Sequence, residues 1–340
     1  MVVRDRFGVE LFCCFVTELT MTGSIENFIG LMKTIVQNSI MMLEIKKLVI
    51  CRIFGIFIVL FLMPSQGSTQ SFSLDSSIQR KVFKTSDLVH LEYVIGGSGD
   101  RTLVFVPGWL MPAEVFNAQL NYFAKNYRVI AFSPRSQGKS DIYLGEHLAE
   151  VRARDIKELL QETKTTDFAL IGWSLGVMES LDYVSRFGTE HLAGLVLIDN
   201  SIGEGPAPKA SKSNTVKMST EAFSQYAKGF VRAIFKSPPP PEFLQMVEQS
   251  ALRLAKYPEA AFSILHKPYN REYYRDTIYN THVPIWYAIT PRFSAQALIF
   301  SDKHPQGEFK IYEKDAGHAL FVDQANEFNL DLENFLRKLN

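Results

Sequence analysis

Residues 168–176 read Phe-Ala-Leu-Ile-Gly-Trp-Ser-Leu-Gly, and they are the most informative part of the chain for its fold. Its first four residues are apolar, which predicts a short buried strand, and a helical pattern follows as far as about Phe187. The Gly-x-Ser-x-Gly motif therefore lies where a strand turns into a helix, although an ordinary strand–helix turn would also fit the pattern. A serine on such a turn is exposed at the carboxyl edge of a sheet, so Ser174 is the candidate nucleophile.

Apolar strands and amphipathic helices alternate on both sides of this motif. The predicted strands are 82–85, 88–95, 103–106, 128–132, 168–171, 195–198, 283–289 and 309–312, and the predicted helices include 113–125, 151–162 and 324–339. This alternation predicts a mostly parallel sheet with helices on both faces. Residues 203–281 interrupt it with helical pieces split by prolines, which indicates a helical lid inserted after the sixth main strand.

The N-terminal residues 1–67 have a different character and form a predicted leader. Within 44–67, two lysines precede an apolar run (48–63) and a small-residue end, which is typical of a secretory signal peptide. Arg52 shortens the uncharged run, and a bilayer span needs about 20 apolar residues. We therefore expect a periplasmic or secreted protein. A membrane anchor through 48–63, or a cytoplasmic location, remains the alternative.

The expected domain organisation follows from these patterns. The leader is 1–67, the core is 78–202 together with 282–340, and the helical lid is 203–281.

Composition narrows the class of protein. Lysine plus arginine and aspartate plus glutamate are equal at 36 each, so nothing indicates a nucleic-acid-binding protein. All three cysteines precede residue 52, so disulfide and thiol chemistry are not expected in the globular part. No metal-ligand cluster or nucleotide-binding loop stands out, and we expect neither a metal nor a cofactor.

The candidate general base is a histidine near the C-terminal end of the chain. Ala316-Gly317-His318 follows the last apolar strand and precedes the last helix, so His318 is expected at the same sheet edge as Ser174. Histidine is the side chain that most readily exchanges a proton near neutral pH, which suits a general base. The alternative is a histidine in a solvent-exposed loop.

An oxyanion hole needs two backbone N–H groups that face the developing negative charge. Leu175, directly after the nucleophile, supplies one of them. The second is expected from Trp109, in the loop after strand 103–106, where Gly108 lets the backbone approach a substrate. Trp109 is otherwise explained as a core aromatic residue.

Four segments together resemble the α/β-hydrolase superfamily. They are Pro-Gly-Trp (107–109), Ser-Pro-Arg-Ser-Gln-Gly-Lys-Ser (133–140), Gly-Trp-Ser-Leu-Gly (172–176) and Ala-Gly-His (316–318). The resemblance covers residues 80–340 and implies the α/β-hydrolase fold and a serine hydrolase that needs no cofactor. The first segment usually begins with His-Gly, and Pro107 stands here in place of the histidine.

Within the superfamily, 172–176 together with Gly-Trp-Leu-Met-Pro-Ala-Glu-Val-Phe (108–116) look most like pimeloyl-[acyl-carrier protein] methyl ester esterases. That resemblance implies a carboxylesterase with a four-helix lid. The predicted lid contains basic residues that would suit an acidic acyl carrier protein, a partner that is possible only if the enzyme is cytoplasmic. A solvated amphipathic face also accounts for them. They are Lys228, Arg232, Lys236, Arg253 and Lys256.

The acid of the expected catalytic triad is displaced. The family usually carries it after the seventh main strand, but 288–294 read Ala-Ile-Thr-Pro-Arg-Phe-Ser, without a carboxylate. The superfamily also has an arrangement with the acid at the end of the sixth strand, where Asp199 is the first polar residue. We therefore expect Asp199 to pair with His318. The alternatives are Asp302, the flanking Asp315 and Asp323, or a dyad without an acid.

These residues predict a serine hydrolase that cleaves a small-molecule or acyl carboxylic ester through an acyl-enzyme intermediate. A perhydrolase or a carbon–carbon bond hydrolase on the same fold is the first alternative. A non-catalytic binding protein is the second, and it would need neither the serine–histidine pair nor the oxyanion loop.

Overall fold

The computed structural model describes residues 73–205, 218–266 and 271–339, together with the isolated helical positions Gly30, Lys33 and Gln37. The chain divides into two units, Met1–Thr69 and Gln70–Asn340, and the second contains the sheet and its helices. The predicted signal-peptide-like or anchor segment, 44–67, lies outside the described residues.

Eight strands form one sheet in the order β1-β2-β4-β3-β5-β6-β7-β8. They are β1 (Gln79–Lys84), β2 (His90–Gly96), β3 (Thr102–Val106), β4 (Arg128–Phe132), β5 (Phe168–Trp173), β6 (Leu192–Ile198), β7 (Ile285–Ile289) and β8 (Gly307–Ile311). Strand β2 is antiparallel to both β1 and β4, and every pair from β4 to β8 is parallel. Since the sheet from β4 onward is parallel, its carboxyl ends share one edge.

The central strands are apolar because helices cover both of their faces. Every residue of β3, β5 and β7 is buried, whereas the edge strand β1 is mostly exposed. Along β3 the side chains alternate between two cores: Leu103 and Phe105 belong to one, Val104 and Val106 to the other. The sheet therefore forms the middle layer of three.

The helices that cover the sheet are α1 (Asn117–Phe123), α2 (Ala149–Glu162), α3 (Leu175–Phe187), α8 (Ser294–Lys303), α9 (Leu320–Asp323) and α10 (Ala325–Leu336). Helices α1, α9 and α10 contribute side chains to the core on one face, and α2, α3 and α8 to the core on the other. This is the doubly covered sheet that the alternating pattern predicts.

Between β6 and β7 the chain forms a helical insertion. Its helices are α4 (Thr220–Ala233), α5 (Pro241–Leu252), α6 (Pro258–His266) and α7 (Arg271–Asn280), and no strand occurs among the described residues of this segment. Prolines stand at the first positions of α5 and α6, where a missing N–H costs nothing. None of the helices in the described part of the chain is long and apolar enough to cross a membrane.

Two predicted helices have different bounds in the structure. The segment 113–125 begins as a 3-10 turn, Ala113–Phe116, before α1, in keeping with the frequency of such turns at helix starts. The final helix, predicted from 324, begins at Ala325 and ends at Leu336. It is preceded by the short α9, because Gln324 leaves helical geometry at φ −118° and ψ 43°.

Candidate active site

Ser174 occupies a strained turn between β5 and α3. Its backbone has φ 54° and ψ −118°, a conformation that a non-glycine residue adopts only under structural constraint. The two flanking glycines make the turn possible, because a Cβ on Gly172 would collide with the Gly176 carbonyl, and one on Gly176 with the Val106 carbonyl. The turn thus places the hydroxyl at the carboxyl edge of the sheet.

His318 lies in the loop between β8 and α9, and its Nε2 is 2.8 Å from Ser174 Oγ. Two contacts hold this loop. Trp173 Nε1 donates to the His318 carbonyl at 2.9 Å, and Asp323 Oδ2 accepts from the Gly317 N–H at 2.8 Å. The same Asp323 oxygen accepts from the Lys236 N–H at 3.0 Å, so the loop is tied to the insertion as well.

Asp199 follows β6 directly and is 2% exposed. Its Oδ2 is 2.7 Å from His318 Nδ1, and its Oδ1 accepts from both the N–H and the hydroxyl of Thr290 at 2.7 Å each. The structure therefore brings Ser174, His318 and Asp199 into one hydrogen-bonded chain. Both oxygens of the buried carboxylate have partners.

The other carboxylates that the sequence offers as alternatives lie elsewhere. Asp302, on α8, and Asp315, in the loop before His318, are exposed. Asp323 accepts backbone hydrogen bonds within that loop, as a loop or cap residue would. Among the described residues, Asp199 is the carboxylate hydrogen-bonded to His318.

Asn200 contacts the nucleophile, although this role was not predicted from the sequence. Its Nδ2 donates to the Ser174 carbonyl at 2.6 Å, and its own carbonyl accepts from the Tyr287 hydroxyl at 2.6 Å. The consecutive residues Asp199 and Asn200 thus hold the candidate base and the candidate nucleophile. The available signal was position, since Asn200 is the second polar residue after the apolar β6.

The loop after β3 lies against the nucleophile. A Cβ on Gly108 would be 3.0 Å from Ser174 Cβ and 3.5 Å from Ser174 Oγ. Leu175 opens α3, so its N–H has no acceptor within that helix. These positions suit the expected oxyanion hole, whose donors, Trp109 N–H and Leu175 N–H, remain a prediction.

Gln137 fixes the same loop from the side. It is fully buried, its Oε1 accepts from the Leu110 N–H at 3.0 Å, and its Nε2 donates to the carbonyls of Gly108 (3.0 Å) and Met111 (2.9 Å). The segment 133–140 therefore supports the loop next to the nucleophile. In the sequence, this segment stands out only through its resemblance to the α/β-hydrolase superfamily.

Trp109 connects the loop to the helical insertion. Its ring is 4% exposed, its Nε1 donates to the Ala261 carbonyl on α6 at 2.8 Å, and its ring lies 5.1 Å from that of Phe230 on α4. The residue is thus both a packed aromatic and part of the loop at Ser174, and the two interpretations of the sequence are compatible.

A cavity of about 500 Å³ opens above Ser174. Its apolar lining residues are Trp109, Leu175, Met178, Tyr226, Phe230 and Leu265. Its polar lining residues include Ser174, Asn200 and Ser201, and Tyr274 also borders it. The insertion and the core both contribute to this wall, so the cavity lies between them.

A second serine–histidine contact has a different character. His147 Nε2 is 3.0 Å from Ser136 Oγ, and its Nδ1 is 3.1 Å from Ser263 Oγ on α6. Burial, with the nearby charges of Arg152 and Arg135, lowers the pKa of His147 to about 3. A histidine held neutral between two hydroxyls, with no carboxylate among the partners described, joins the core to the insertion.

Clusters of three or more histidine, cysteine or acidic side chains that could hold a metal are absent from the part of the chain that the structure describes.

The sequence of this chain matches a known protein family. The model of the alpha/beta hydrolase fold family matches residues 101–284 of the 340-residue chain. The chain belongs to the α/β-hydrolase family. The matched range includes Ser174 and Asp199 and ends before His318. His318 is connected to Ser174 by the hydrogen bond described above.

Curated relatives of this α/β hydrolase match only part of its length. The non-heme chloroperoxidase of Streptomyces lividans is 29% identical over 144 residues, 42% of this chain and 51% of that protein. The bifunctional esterase/perhydrolase DCH of Acinetobacter calcoaceticus is 28% identical over 116 residues, 34% of this chain and 42% of that protein. The chain thus spans about half the length of these relatives.

Solved structures match more of the α/β hydrolase. The esterase RhEst1 from Rhodococcus sp. ECU1013 has a TM-score of 0.62 at 20% identity and covers 78% of this chain and 100% of its own. The bromoperoxidase from Bacillus anthracis has a TM-score of 0.61 at 18% identity, with 76% and 100% covered. At this level of identity the likeness concerns the fold.

Proposed function

We propose that the protein is a serine hydrolase that cleaves carboxylic esters through an acyl-enzyme intermediate. The observation that carries the proposal is the continuous contact from Ser174 Oγ to His318 Nε2 (2.8 Å) and from His318 Nδ1 to Asp199 Oδ2 (2.7 Å). A nucleophile, a base and an acid in this order are what acyl transfer requires. The esterase and perhydrolase names among the relatives support the same class of reaction.

In the first half of the reaction, Ser174 Oγ attacks the ester carbonyl carbon while His318 Nε2 takes the hydroxyl proton. Negative charge develops on the carbonyl oxygen and would be stabilised by the N–H groups of Leu175 and Trp109. The tetrahedral intermediate then expels the alcohol, which leaves with the proton from His318. The acyl group stays on Ser174.

In the second half, His318 removes a proton from water as the water oxygen attacks the acyl carbon. Collapse of the second tetrahedral intermediate returns the proton to Ser174 and releases the carboxylic acid. Asp199 keeps the Nδ1 proton of His318 oriented and stabilises the imidazolium in both halves.

The nucleophile assignment is tested with Ser174→Ala. The variant should fold normally, lose hydrolysis of short p-nitrophenyl esters and no longer react with a fluorophosphonate probe. Ser136→Ala is the matched control, because it removes another serine hydroxyl that contacts a histidine. If Ser174→Ala keeps most of its activity, or if the probe labels it as fast as wild type, the proposal is wrong.

A perhydrolase is the second candidate, and the similarity to a bifunctional esterase/perhydrolase favours it. In this reaction hydrogen peroxide replaces water as the nucleophile that attacks the acyl-enzyme, and the product is a peracid. Peracid formation from an ester in the presence of hydrogen peroxide, measured beside acid release, separates the two activities in one assay.

The finer proposal is a methyl ester esterase similar to those that act on pimeloyl-[acyl-carrier protein], and it rests on residues 108–116 and 172–176. Two of the basic residues of the insertion already have partners: Arg232 pairs with Glu248, and Arg253 donates to the Gly138 and Ser140 carbonyls. Free methyl esters of medium-length acids are therefore the first substrates to test. A carrier-protein conjugate is the second, in case the protein is cytoplasmic.

A further inference from the structure

The described part of the wall of the cavity above Ser174 carries no charge. None of the described residues that line it is acidic or basic, and the apolar lining residues Leu175 and Trp109 are each 5% exposed or less. Tyr226 and Leu265 on the insertion are each 42% exposed and stand at the rim. A substrate group that enters this space is transferred from water to a mostly apolar surface.

The polar lining groups next to Ser174 are largely committed to the protein itself. Asn200 Nδ2 donates to the Ser174 carbonyl, and Asn200 Oδ1 accepts from the Ser201 N–H at 2.7 Å. Ser201 Oγ donates to Gln296 Oε1 at 3.0 Å. These bonds engage the amide of Asn200 and the hydroxyl of Ser201 within the protein. An anion without partners in an apolar site is strongly disfavoured.

We propose that the cavity holds the uncharged, apolar part of the ester and discriminates against an ester that carries a carboxylate in that part. The proposal rests on the proposed ester hydrolysis and names its substrate class: neutral aliphatic or aryl esters. The rim residue Leu265 is inferred to determine this selectivity, since it borders the cavity on α6.

The first test compares matched esters of equal length that end in a methyl group or a carboxylate, with the terminal group placed once on the acyl side and once on the alcohol side. We expect kcat/KM to be at least about tenfold lower for the carboxylate on at least one side. A difference below about twofold on both sides would overturn the proposal. If no ester is cleaved in a Ser174-dependent manner, ester hydrolysis itself is refuted, which is a distinct result.

The second test places a positive charge at the rim with Leu265→Arg. We expect the ratio of kcat/KM for the carboxylate ester to that for the neutral ester to rise about two- to fivefold, as for a solvent-exposed ion pair. Leu298→Arg is the matched control, because Leu298 is 63% exposed on α8 and does not line the cavity. An equal change in both variants, or no change in Leu265→Arg, would contradict the assignment of Leu265.

Independently of the cavity, Thr290 makes two hydrogen bonds to Asp199. Its N–H and its hydroxyl both donate to Asp199 Oδ1 at 2.7 Å, while Oδ2 is left to His318. The two oxygens of a carboxylate are rigidly linked, so fixing Oδ1 fixes the direction of Oδ2. Thr290 directly follows β7, and the Asp199 N–H donates to the Ala288 carbonyl of that strand at 2.9 Å.

The geometry points to Thr290 as a positioning residue for the reaction, acting through Asp199 on His318. Its hydroxyl supplies a donor that a valine of the same shape lacks, whereas a serine keeps it. This inference also rests on the proposed triad.

The pair Thr290→Val and Thr290→Ser tests this role. Because the backbone N–H remains, we expect Thr290→Val to lower kcat about tenfold with little change in KM, and Thr290→Ser to stay within about twofold of wild type. Thr163→Val is the control for losing a buried hydroxyl far from the site, since Thr163 Oγ1 donates to the Leu159 carbonyl. It should lower thermal stability without lowering kcat.

Three results would refute the inference: unchanged kcat in Thr290→Val, an equal loss in Thr290→Ser, or an equal loss of kcat in Thr163→Val. Fluorophosphonate labelling rates, measured well below the melting temperature of each variant, separate a loss of positioning from unfolding. Wild-type activity in Asp199→Asn would instead refute the triad itself.

Discussion

Asp199 is buried, accepts a hydrogen bond on each oxygen and faces His318 with only one of them. If Asp199 is the triad acid, Asp199→Asn replaces its carboxylate by an amide, which no longer holds His318 in the reactive tautomer. We expect turnover to fall at least about a hundredfold, a conservative figure beside the ten-thousandfold loss known for the same change in a serine protease. The melting temperature should change little, because asparagine keeps the shape of the side chain.

Asp302→Asn is the control, since Asp302 is exposed on α8. It should behave like wild type in kcat and KM. An inactive Asp302 variant, or an Asp199 variant that fails only because it unfolds, would assign the acid to another residue.

Single residues differ in how far the sequence could predict them. Ser174, His318 and Asp199 each follow an apolar strand, and the carboxyl ends of parallel strands meet at one edge. Their proximity therefore follows from pattern alone. Asn200 and Gln137 contact backbone carbonyls, and sequence carries no signal for which carbonyl lies nearby.

Thr290 shows a subtler limit of sequence analysis. The segment after β7 was informative only as a place without a carboxylate. The same rule that identified Asp199, the first polar residue after an apolar strand, also selects Thr290. Because threonine is common in turns, its position after β7 does not by itself indicate a hydrogen bond to Asp199.

At the scale of the elements, α6 and the loop after β3 are coupled through one side chain. Trp109→Phe removes the Nε1 bond to the Ala261 carbonyl and keeps most of the ring packing. Since a neutral hydrogen bond contributes about 0.5–1.5 kcal/mol, we expect kcat to fall by roughly two- to tenfold when the loop at Ser174 loses this contact with the insertion.

Trp286→Phe is the matched control, because Trp286 packs against Phe328 and Phe335 away from the cavity. It should change stability and leave kcat unaffected. A Trp109→Phe enzyme with normal kcat would show that the insertion does not support the oxyanion loop.

The element bounds follow the hydrophobic pattern closely, apart from the 3-10 start of the predicted helix 113–125 and the short α9 before the predicted helix 324–339. Pattern cannot detect a break that leaves the apolar face continuous, and both breaks preserve it, as shown by the buried Phe116 and Phe321. The antiparallel pairing of β2 with β4 also has no local signal, since it depends on contacts between distant segments.

For the whole molecule, His147 provides a pH-dependent contribution to stability. Its pKa is about 3 in the folded protein, because burial and the charges of Arg152 and Arg135 disfavour protonation, against an ordinary value of 6.5. Between these values the unfolded chain binds a proton that the folded protein does not. The free energy of unfolding therefore decreases as the pH falls from about 6.5, by up to about 1.4 kcal/mol per pH unit.

His147→Gln removes this titration and keeps a side chain that can bond to Ser136 or Ser263. Urea unfolding at pH 7, 6, 5 and 4 should show a shallower pH dependence for the variant than for wild type. The comparison with wild type matters because Asp87 also makes the protein less stable in acid. Burial raises its pKa, but hydrogen bonds from Arg135 and Thr85 and the charges of Arg135 and Arg154 together lower it to about 2. Parallel curves would contradict the role of His147.

The division of the chain at residue 69 bears on the leader. The unit Gln70–Asn340 contains the sheet and its helices, so a chain of residues 68–340 should fold and hydrolyse esters like the full chain. Soluble expression, a cooperative thermal transition and esterase activity are the measurements. An insoluble or inactive product would mean that residues before 68 contribute to the fold.

Two of the chain's three tryptophans border the candidate site. Trp109 lines the cavity, Trp173 donates to the His318 carbonyl, and the third, Trp286, lies in the core. The protein thus has a native optical reporter, whose ultraviolet emission should change when an apolar molecule displaces water from the cavity. Trp286 would supply a constant background. A non-hydrolysable ligand could then be titrated without a dye, and the rate of the signal would report how fast the cavity fills.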